Sequence, residues 1–294
     1  MNVLKRLGRE FESISNADRI ILNYPEHKAE ENKVNLYYYH AEWCDRETDS
    51  NLGDYLSEIV VRWMCDQNGI DYEENIPNRK HLYAIGSILQ MGYQNATVWG
   101  TGFAFELGSL RGLPHKRREL DIKCVRGPLT RNILIRLGFN CPEIYGDPGI
   151  LMPQIYKPKN AEHTDYVIIP HYSVEDWTRH VYGNDRIISM NTKDYANVID
   201  RICASDKVIS SSLHGIILAE AYGVPAVFYQ DRAQRFNFKY EDWYQSTGRD
   251  SIAPCLSINS AINKKTISVP GRIKDMQDQL IETFPQYLWG GGTA

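Results

Sequence analysis

Val208-Ile209-Ser210-Ser211-Ser212-Leu213-His214-Gly215, continuing through Ile216 to Tyr222 and then Gly223-Val224-Pro225-Ala226-Val227-Phe228-Tyr229, carries the fold. A short apolar run, a serine-rich turn, an apolar stretch of helical length, a Gly-x-Pro break and a second apolar run read as strand, helix and strand. That is one unit of a parallel α/β sheet. In such sheets ligands gather beyond the carboxyl ends of the strands, where the next helix presents unpaired N–H groups and the positive end of its dipole. Ser210, Ser211, Ser212 and His214 fall at that place, so the turn reads as an anion site with a proton-transfer residue. Helix capping by the serines is the plainer alternative.

Working outward, the same rhythm recurs on both sides. Upstream, strands are expected at Tyr166–Pro170 and Arg186–Ser189, and helices at Val174–His180 and Lys193–Ala204. The stretch Tyr156–Asp165 is polar, contains Pro158 and has no apolar period, so it reads as a linker. Before it, strands are expected at Val34–His40, His81–Gly86, Ala96–Gly100 and Leu120–Val125. Helices are expected at Tyr55–Gln67, with Asp54 as its N-cap, and from Pro128 to near Gly138. A short strand at Ile144 meets an Asp-Pro turn at Asp147. Residues 1–33 are polar, with helical spacing only at Val3, Leu4, Leu7 and Phe11, and Arg19–Leu22 as a short strand or turn. Downstream, Arg235–Tyr244 is dense in aromatic and charged residues and suits either a sugar-stacking face or a packed surface loop. A last helix spans Arg272–Phe284, and Trp289–Ala294 reads as a loose tail.

Composition narrows the function classes. The chain has 294 residues and a net charge of −4, with basic residues scattered, which argues against a nucleic-acid partner. The one basic run, His115–Arg118, reads as a solvated loop face. Six cysteines, Cys44, Cys65, Cys124, Cys141, Cys203 and Cys255, show no CxxC spacing and read as reduced packing residues of a cytosolic protein. No signal peptide or membrane span is expected. His171, His180 and Asp185 are too loosely spaced to suggest a metal centre, and no metal is expected.

Other strand ends add candidate chemistry. Asn51-Leu52-Gly53-Asp54 stands before a helix, where Asn51 and Gly53 offer a second phosphate or sugar contact. Arg126, at a strand-to-helix turn, suits either a carboxylate or phosphate of a ligand or a structural ion pair. Asp147 is a candidate acid-base group or a plain turn residue.

The ordered set Asn51-Leu52-Gly53-Asp54, Val125-Arg126-Gly127-Pro128-Leu129-Thr130, Leu137-Gly138, Gly146-Asp147-Pro148, Ser211-Ser212-Leu213-His214-Gly215 and Gly223-Val224-Pro225 resembles the motifs of the polysaccharide pyruvyl transferase family. The resemblance covers roughly residues 35–245. It departs from the commoner family pattern at Gly127, where many members carry an acidic residue. With two successive α/β halves it implies two Rossmann-like domains, residues 1–158 and 159–294, in a GT-B-like arrangement with the site in the inter-domain cleft.

The activity implied is transfer of a pyruvyl group from phosphoenolpyruvate to two hydroxyls of a sugar residue, giving a cyclic ketal and phosphate, with no cofactor besides the donor. Such chemistry needs cations and helix N-termini for the donor, and an acid and a base for the protons. On this reading His214 binds the donor phosphate and serves as acid, assisted by Ser211, Ser212 and Leu213. Arg126 pairs with the donor, Asp54 or Asp147 is the base, and Asn51 orients the sugar. Gly53, His171 and Lys239 complete the candidate contacts. The acceptor implied is a cell-surface polysaccharide or its lipid-linked precursor at the cytoplasmic face of a membrane, to which the protein attaches peripherally if at all. A nucleotide-sugar GT-B glycosyltransferase or epimerase is the alternative, prompted by Glu220 before Gly223-Val224-Pro225. A non-enzymatic carbohydrate-binding module is the third.

Overall fold

Two parallel sheets organise the chain, as the alternating pattern predicts. The structure is a computed structural model that describes residues 29–38, 51–90, 95–105, 119–159, 161–171, 174–231, 237–250, 252–265 and 271–290. In the first sheet β1 (Val34–Tyr37), β2 (Lys80–Tyr83), β3 (Ala96–Trp99) and β4 (Leu120–Cys124) lie side by side in sequence order, all parallel. In the second, β5 (Val167–Ile169), β6 (Val208–Ser210) and β7 (Ala226–Phe228) do the same. Strands β3, β5 and β6 are buried at every residue, as parallel strands covered on both faces must be. Expectations for residues 1–28, for Tyr39 and His40, for Cys44 and for the basic run at 115–118 lie outside the described residues.

Crossover helices complete the units. They are α1 (Leu52–Gln67) between β1 and β2, α2 (Pro128–Arg136) after β4, and the single turn α3 (Met152–Ile155). Between β5 and β6 come α4 (Glu175–Tyr182) and α5 (Tyr195–Cys203), and α6 (Leu213–Ala221) joins β6 to β7. The chain then forms α7 (Phe238–Ser246), α8 (Ile258–Asn263) and α9 (Ile273–Glu282). Helix α6 is apolar on nearly all sides, with Leu213 and Gly215 through Glu220 buried, which is the composition of a helix enclosed by other elements. Its neighbours share one continuous core: Leu52, Leu56 and Val60 of α1, Ile150 and Leu151 before α3, and Ile216 and Ile217 of α6.

Five expectations are corrected. Helix α1 begins at Leu52, not Tyr55, and its N-cap is Asn51, whose side-chain oxygen accepts from the Gly53 N–H at 2.9 Å; Asp54 lies inside the first turn. Arg186–Ser189 is not a strand but a short 3-10 turn, Asn184–Arg186, followed by a bridge from Ile187 to Ile168. There the Arg201 guanidinium donates to the carbonyls of Asp185 and Ile187, so side-chain bonds replace a ladder. Ile144-Tyr145 is likewise only a bridge, from Tyr145 to Val125, before a 3-10 turn at Pro148–Leu151. Finally, Arg235–Tyr244 is no surface loop over its described part: Tyr240 and Trp243 of α7 are fully buried. Nor is Trp289 loose, since its indole donates to the Tyr72 carbonyl at 3.1 Å and stacks on Phe284.

Candidate functional site

The turns that follow the strands of both sheets converge. Asn51–Asp54 follows β1, Gly86 follows β2, Arg126 follows β4, Asp147 follows the Val125–Tyr145 bridge, His171 follows β5, Ser211–His214 follows β6 and Asp231 follows β7. Contacts among these residues define the site. A Cβ built on Gly53 would lie 1.9 Å from Nδ1 of His214, so the imidazole occupies the space a side chain would fill at the start of α1. The Asp54 carboxylate stands 3.3 Å from where a Cβ of Gly86 would be. The 3-10 turn at Pro148–Leu151 is wedged between α1 and α6, its Gly149 facing Leu56 on one side and Ile217 on the other.

That wedge carries Asp147. Its carboxylate is fully buried and one oxygen accepts from the Gly149 N–H at 3.0 Å. The other oxygen, Oδ2, is 3.6 Å from Nε2 of His214, beyond hydrogen-bonding distance. Both atoms are buried and neither has a hydrogen-bond partner among the described residues. Buried polar atoms are rarely left unmatched, so this pair is open to a third group.

At the β6–α6 turn the three serines divide their work. Ser210 is used internally: its hydroxyl donates to the Ser212 carbonyl at 2.8 Å and accepts from the Ser212 N–H at 3.0 Å. Ser211 accepts from the His171 N–H at 2.7 Å, which ties the β5 and β6 strand ends together. Ser212 is the N-cap residue of α6, but its side chain makes no cap hydrogen bond. The simple capping alternative therefore fails at Ser212. Among the described residues no acceptor meets the N–H groups of Leu213, His214 or Gly215, which leaves the positive end of α6 available to an anion.

Electrostatics sharpen the assignment. Burial pushes the Asp54 carboxyl up to about 6, opposed by His214 and Lys239 and reinforced by Asp147. Because the folded value exceeds that of an ordinary aspartate, its stabilising contribution is full below about pH 4 and is lost as pH rises through about 6. Asp54→Asn is therefore expected to raise the melting temperature at pH 8, to leave it unchanged near pH 4, and to remove the acid limb of the activity profile. Equal shifts at both pH values would show that Asp54 is not the strained carboxylate. The His171 imidazole is lowered by burial and then by Lys239, with Asp231 opposing.

Arg126 has a different environment from the one its sequence position suggests. It is fully buried; Nε donates to Asp242 at 3.1 Å, Nη1 to Ser87 Oγ at 2.6 Å and Nη2 to the Phe103 carbonyl at 2.6 Å. Nη2 also lies 3.0 Å from Asp242 Oδ2. Of the two readings, this geometry is that of the ion pair. Asp242 further accepts from the Thr130 N–H at 2.9 Å and hydroxyl at 2.7 Å, so it caps α2 from α7. The cap needs Gly127, because a Cβ there would come within 2.1 Å of the Asp242 carbonyl oxygen. A carboxylate thus reaches this turn from a distant helix, and nothing in the sequence near Arg126 signals it. Asp231, by contrast, follows a strand and was open to the strand-end argument.

Glu220, which prompts the nucleotide-sugar alternative, is 2% exposed and enclosed. Arg249 holds both its oxygens, at 2.6 and 3.0 Å, and the Trp243 indole donates to it at 2.8 Å. No ribose has access to it. Among the described residues no group of three metal-ligating side chains comes together.

Residues 98–230 match the model of the family described as polysaccharide pyruvyl transferase. Over those residues the chain is similar to the polysaccharide pyruvyl transferase family. It is 27% identical over 242 residues to an uncharacterized protein of Acanthamoeba polyphaga mimivirus, covering 75% of this chain and 82% of that one. It is also 27% identical over 213 residues to the succinoglycan biosynthesis protein ExoV of Rhizobium meliloti, covering 67% of this chain and 62% of ExoV. The family match contains Arg126, Asp147, His171 and Ser211–His214. Asn51, Gly53, Asp54 and Lys239 lie outside it, and the folded chain brings them to the same place. Among the described residues no helix is long and apolar enough to cross a membrane.

Proposed function

We propose that the protein transfers a pyruvyl group from phosphoenolpyruvate to two hydroxyls of one sugar in an exopolysaccharide, capsule or other cell-surface polysaccharide, or in its lipid-linked precursor, forming a ketal and releasing phosphate. The observation that carries this reading is the open pair His214 Nε2 and Asp147 Oδ2 beside the unsatisfied N-terminus of α6. A donor phosphate fits there: the Leu213–Gly215 N–H groups and the Ser212 hydroxyl supply donors, and His214 completes them when protonated. Asp54, ionised above about pH 6, takes the proton of the attacking hydroxyl. Asp147 faces the His214 imidazole at 3.6 Å without a hydrogen bond to it, and the Asn51 amide group faces the sugar. Arg126 acts through Asp242 rather than on the donor.

The two sheets are read as Rossmann-like domains meeting near residues 158–159 in a GT-B-like arrangement. The reaction takes place on the cytoplasmic side of a membrane, with no cofactor besides the donor. The succinoglycan role named for ExoV makes an exopolysaccharide the first acceptor class to try.

Calorimetry with phosphoenolpyruvate tests the donor. Wild-type protein is expected to bind it, and His214→Ala to weaken binding by roughly 10- to 100-fold, the loss of one charge-assisted hydrogen bond. A folded wild-type protein that does not bind millimolar phosphoenolpyruvate would end this reading. Phosphate release with a panel of bacterial oligosaccharides, succinoglycan fragments included, then identifies the acceptor, whose mass should rise by that of pyruvic acid less one water.

A further inference from the structure

Helix α7 is fastened to both halves of the site at once. Asp242 ties it to Arg126 and Thr130 at the β4–α2 turn. Tyr240 ties it to the β6–α6 turn, donating its hydroxyl to the Ser211 carbonyl at 2.9 Å while its ring stacks on Phe228. Lys239 adjoins Tyr240 and precedes Asp242 by three residues, one helical neighbour away. It is thereby carried by a rigid backbone to the place where the two turns meet.

Asp242 would be the obvious partner for Lys239, but its carboxylate is taken up by Arg126 and Thr130. Among the described residues no carboxylate comes within ion-pair distance of Lys239 Nζ, which lies 5.1 Å from the centre of the Tyr240 ring. The charged and titratable groups that face it are Asp54 from α1, Arg126 after β4, His171 after β5 and Asp231 after β7, besides Asp242 on its own helix. Burial first and Arg126 second lower the ammonium, Asp54 and Asp231 oppose them, and the net value is about 8. A desolvated ammonium without a counter-charge is costly, and an incoming dianion relieves that cost.

We propose that Lys239 is a catalytic residue that binds the donor's phosphate and gives it a proton as it departs. This rests on the pyruvyl-transfer reading above. After the first hydroxyl has added to C2 of the donor, its proton passing to Asp54, and C3 has taken up a proton from His214, the bond from C2 to the phosphate oxygen breaks. Its electron pair goes to that oxygen, and a proton moves from Nζ to the phosphate, which leaves as monohydrogen phosphate. The second hydroxyl adds to the oxocarbenium carbon, and its proton returns to the neutral amine. Lys239 ends as it began.

Two measurements test this. First, proton uptake on phosphoenolpyruvate binding is read by calorimetry at pH 8.5 in buffers of different ionisation enthalpy. Wild-type protein is expected to take up a proton that Lys239→Met and Lys239→Arg do not. Second, with an acceptor from the oligosaccharide panel, Lys239→Arg is expected to keep donor KM within roughly threefold while kcat falls on the order of 100-fold. Its remaining activity should lack the alkaline limb seen in wild type. Donor binding with no Lys239-dependent proton uptake, or wild-type kcat in Lys239→Arg, would overturn the role of Lys239 and leave pyruvyl transfer standing. Absence of donor binding in the wild type would overturn both.

Discussion

Gly53→Ala is expected to leave the fold intact and to reduce turnover by on the order of 100-fold or more. Alanine is the better helix former, by about 1 kcal/mol, and Gly53 lies in the first turn of α1 without a left-handed backbone that would demand glycine. Propensity alone therefore predicts a neutral or stabilising change. The obstacle is tertiary: the added methyl would sit 1.9 Å from Nδ1 and 2.5 Å from Cγ of His214. One of them must move, and the imidazole, held by no hydrogen bond at Nε2, is the freer. Circular dichroism melts should match wild type while phosphate release collapses. The double variant Gly53→Ala/His214→Ala should be no slower than His214→Ala, because both changes remove the same group. Wild-type turnover in Gly53→Ala would show that the position of His214 against α1 does not matter to the reaction.

Asp242→Ala should give the largest loss of stability. It removes the counter-charge of a fully buried guanidinium and the acceptor of the Thr130 N–H and hydroxyl together. Breaking one side of a buried pair costs about 3–5 kcal/mol, which lowers the melting temperature by on the order of 10 °C in a protein of this size. Arg126→Met combined with Asp242→Leu should recover part of that loss, since the uncompensated charge is gone. Donor binding should still be weakened in the double variant, because the fastening of α7 and of Lys239 is lost. If Asp242→Ala melts with the wild type, the pair does not hold α7 in place.

Much of the fold was legible. Short apolar runs such as Val167–Ile169 and Val208-Ile209 read as strands covered on both faces, and Gly223-Val224-Pro225 ends the helix between β6 and β7. Pro128 marked the start of α2 for a local reason, its missing N–H being one of the helix's unused donors. Local reasons also misled. Asp54 has the chemistry of a cap, yet Asn51 three residues earlier has it too, and the Leu52 N–H bond to the Met190 carbonyl decides in favour of the earlier start. Arg235–Tyr244 is polar enough to read as surface, but two of its charges are turned inward: Asp242 meets Arg126, and Lys239 faces the site.

Sequence by itself determined the alternation of strands and helices, the positions of the turns and the chemical types available at them, because those depend on neighbours within a few residues. The serine-rich turn, His214 and Asp147 were candidates on that basis alone. Only the tertiary structure decided that the His214 imidazole rests on Gly53, 161 positions away, that Asp242 meets Arg126 across 116, and that Glu220 is closed off by Arg249. Those are choices of partner, and a charge or a glycine carries no record of its partner in its own neighbourhood. Packing selects it, through the cost of leaving a buried group unmatched or two atoms in one space.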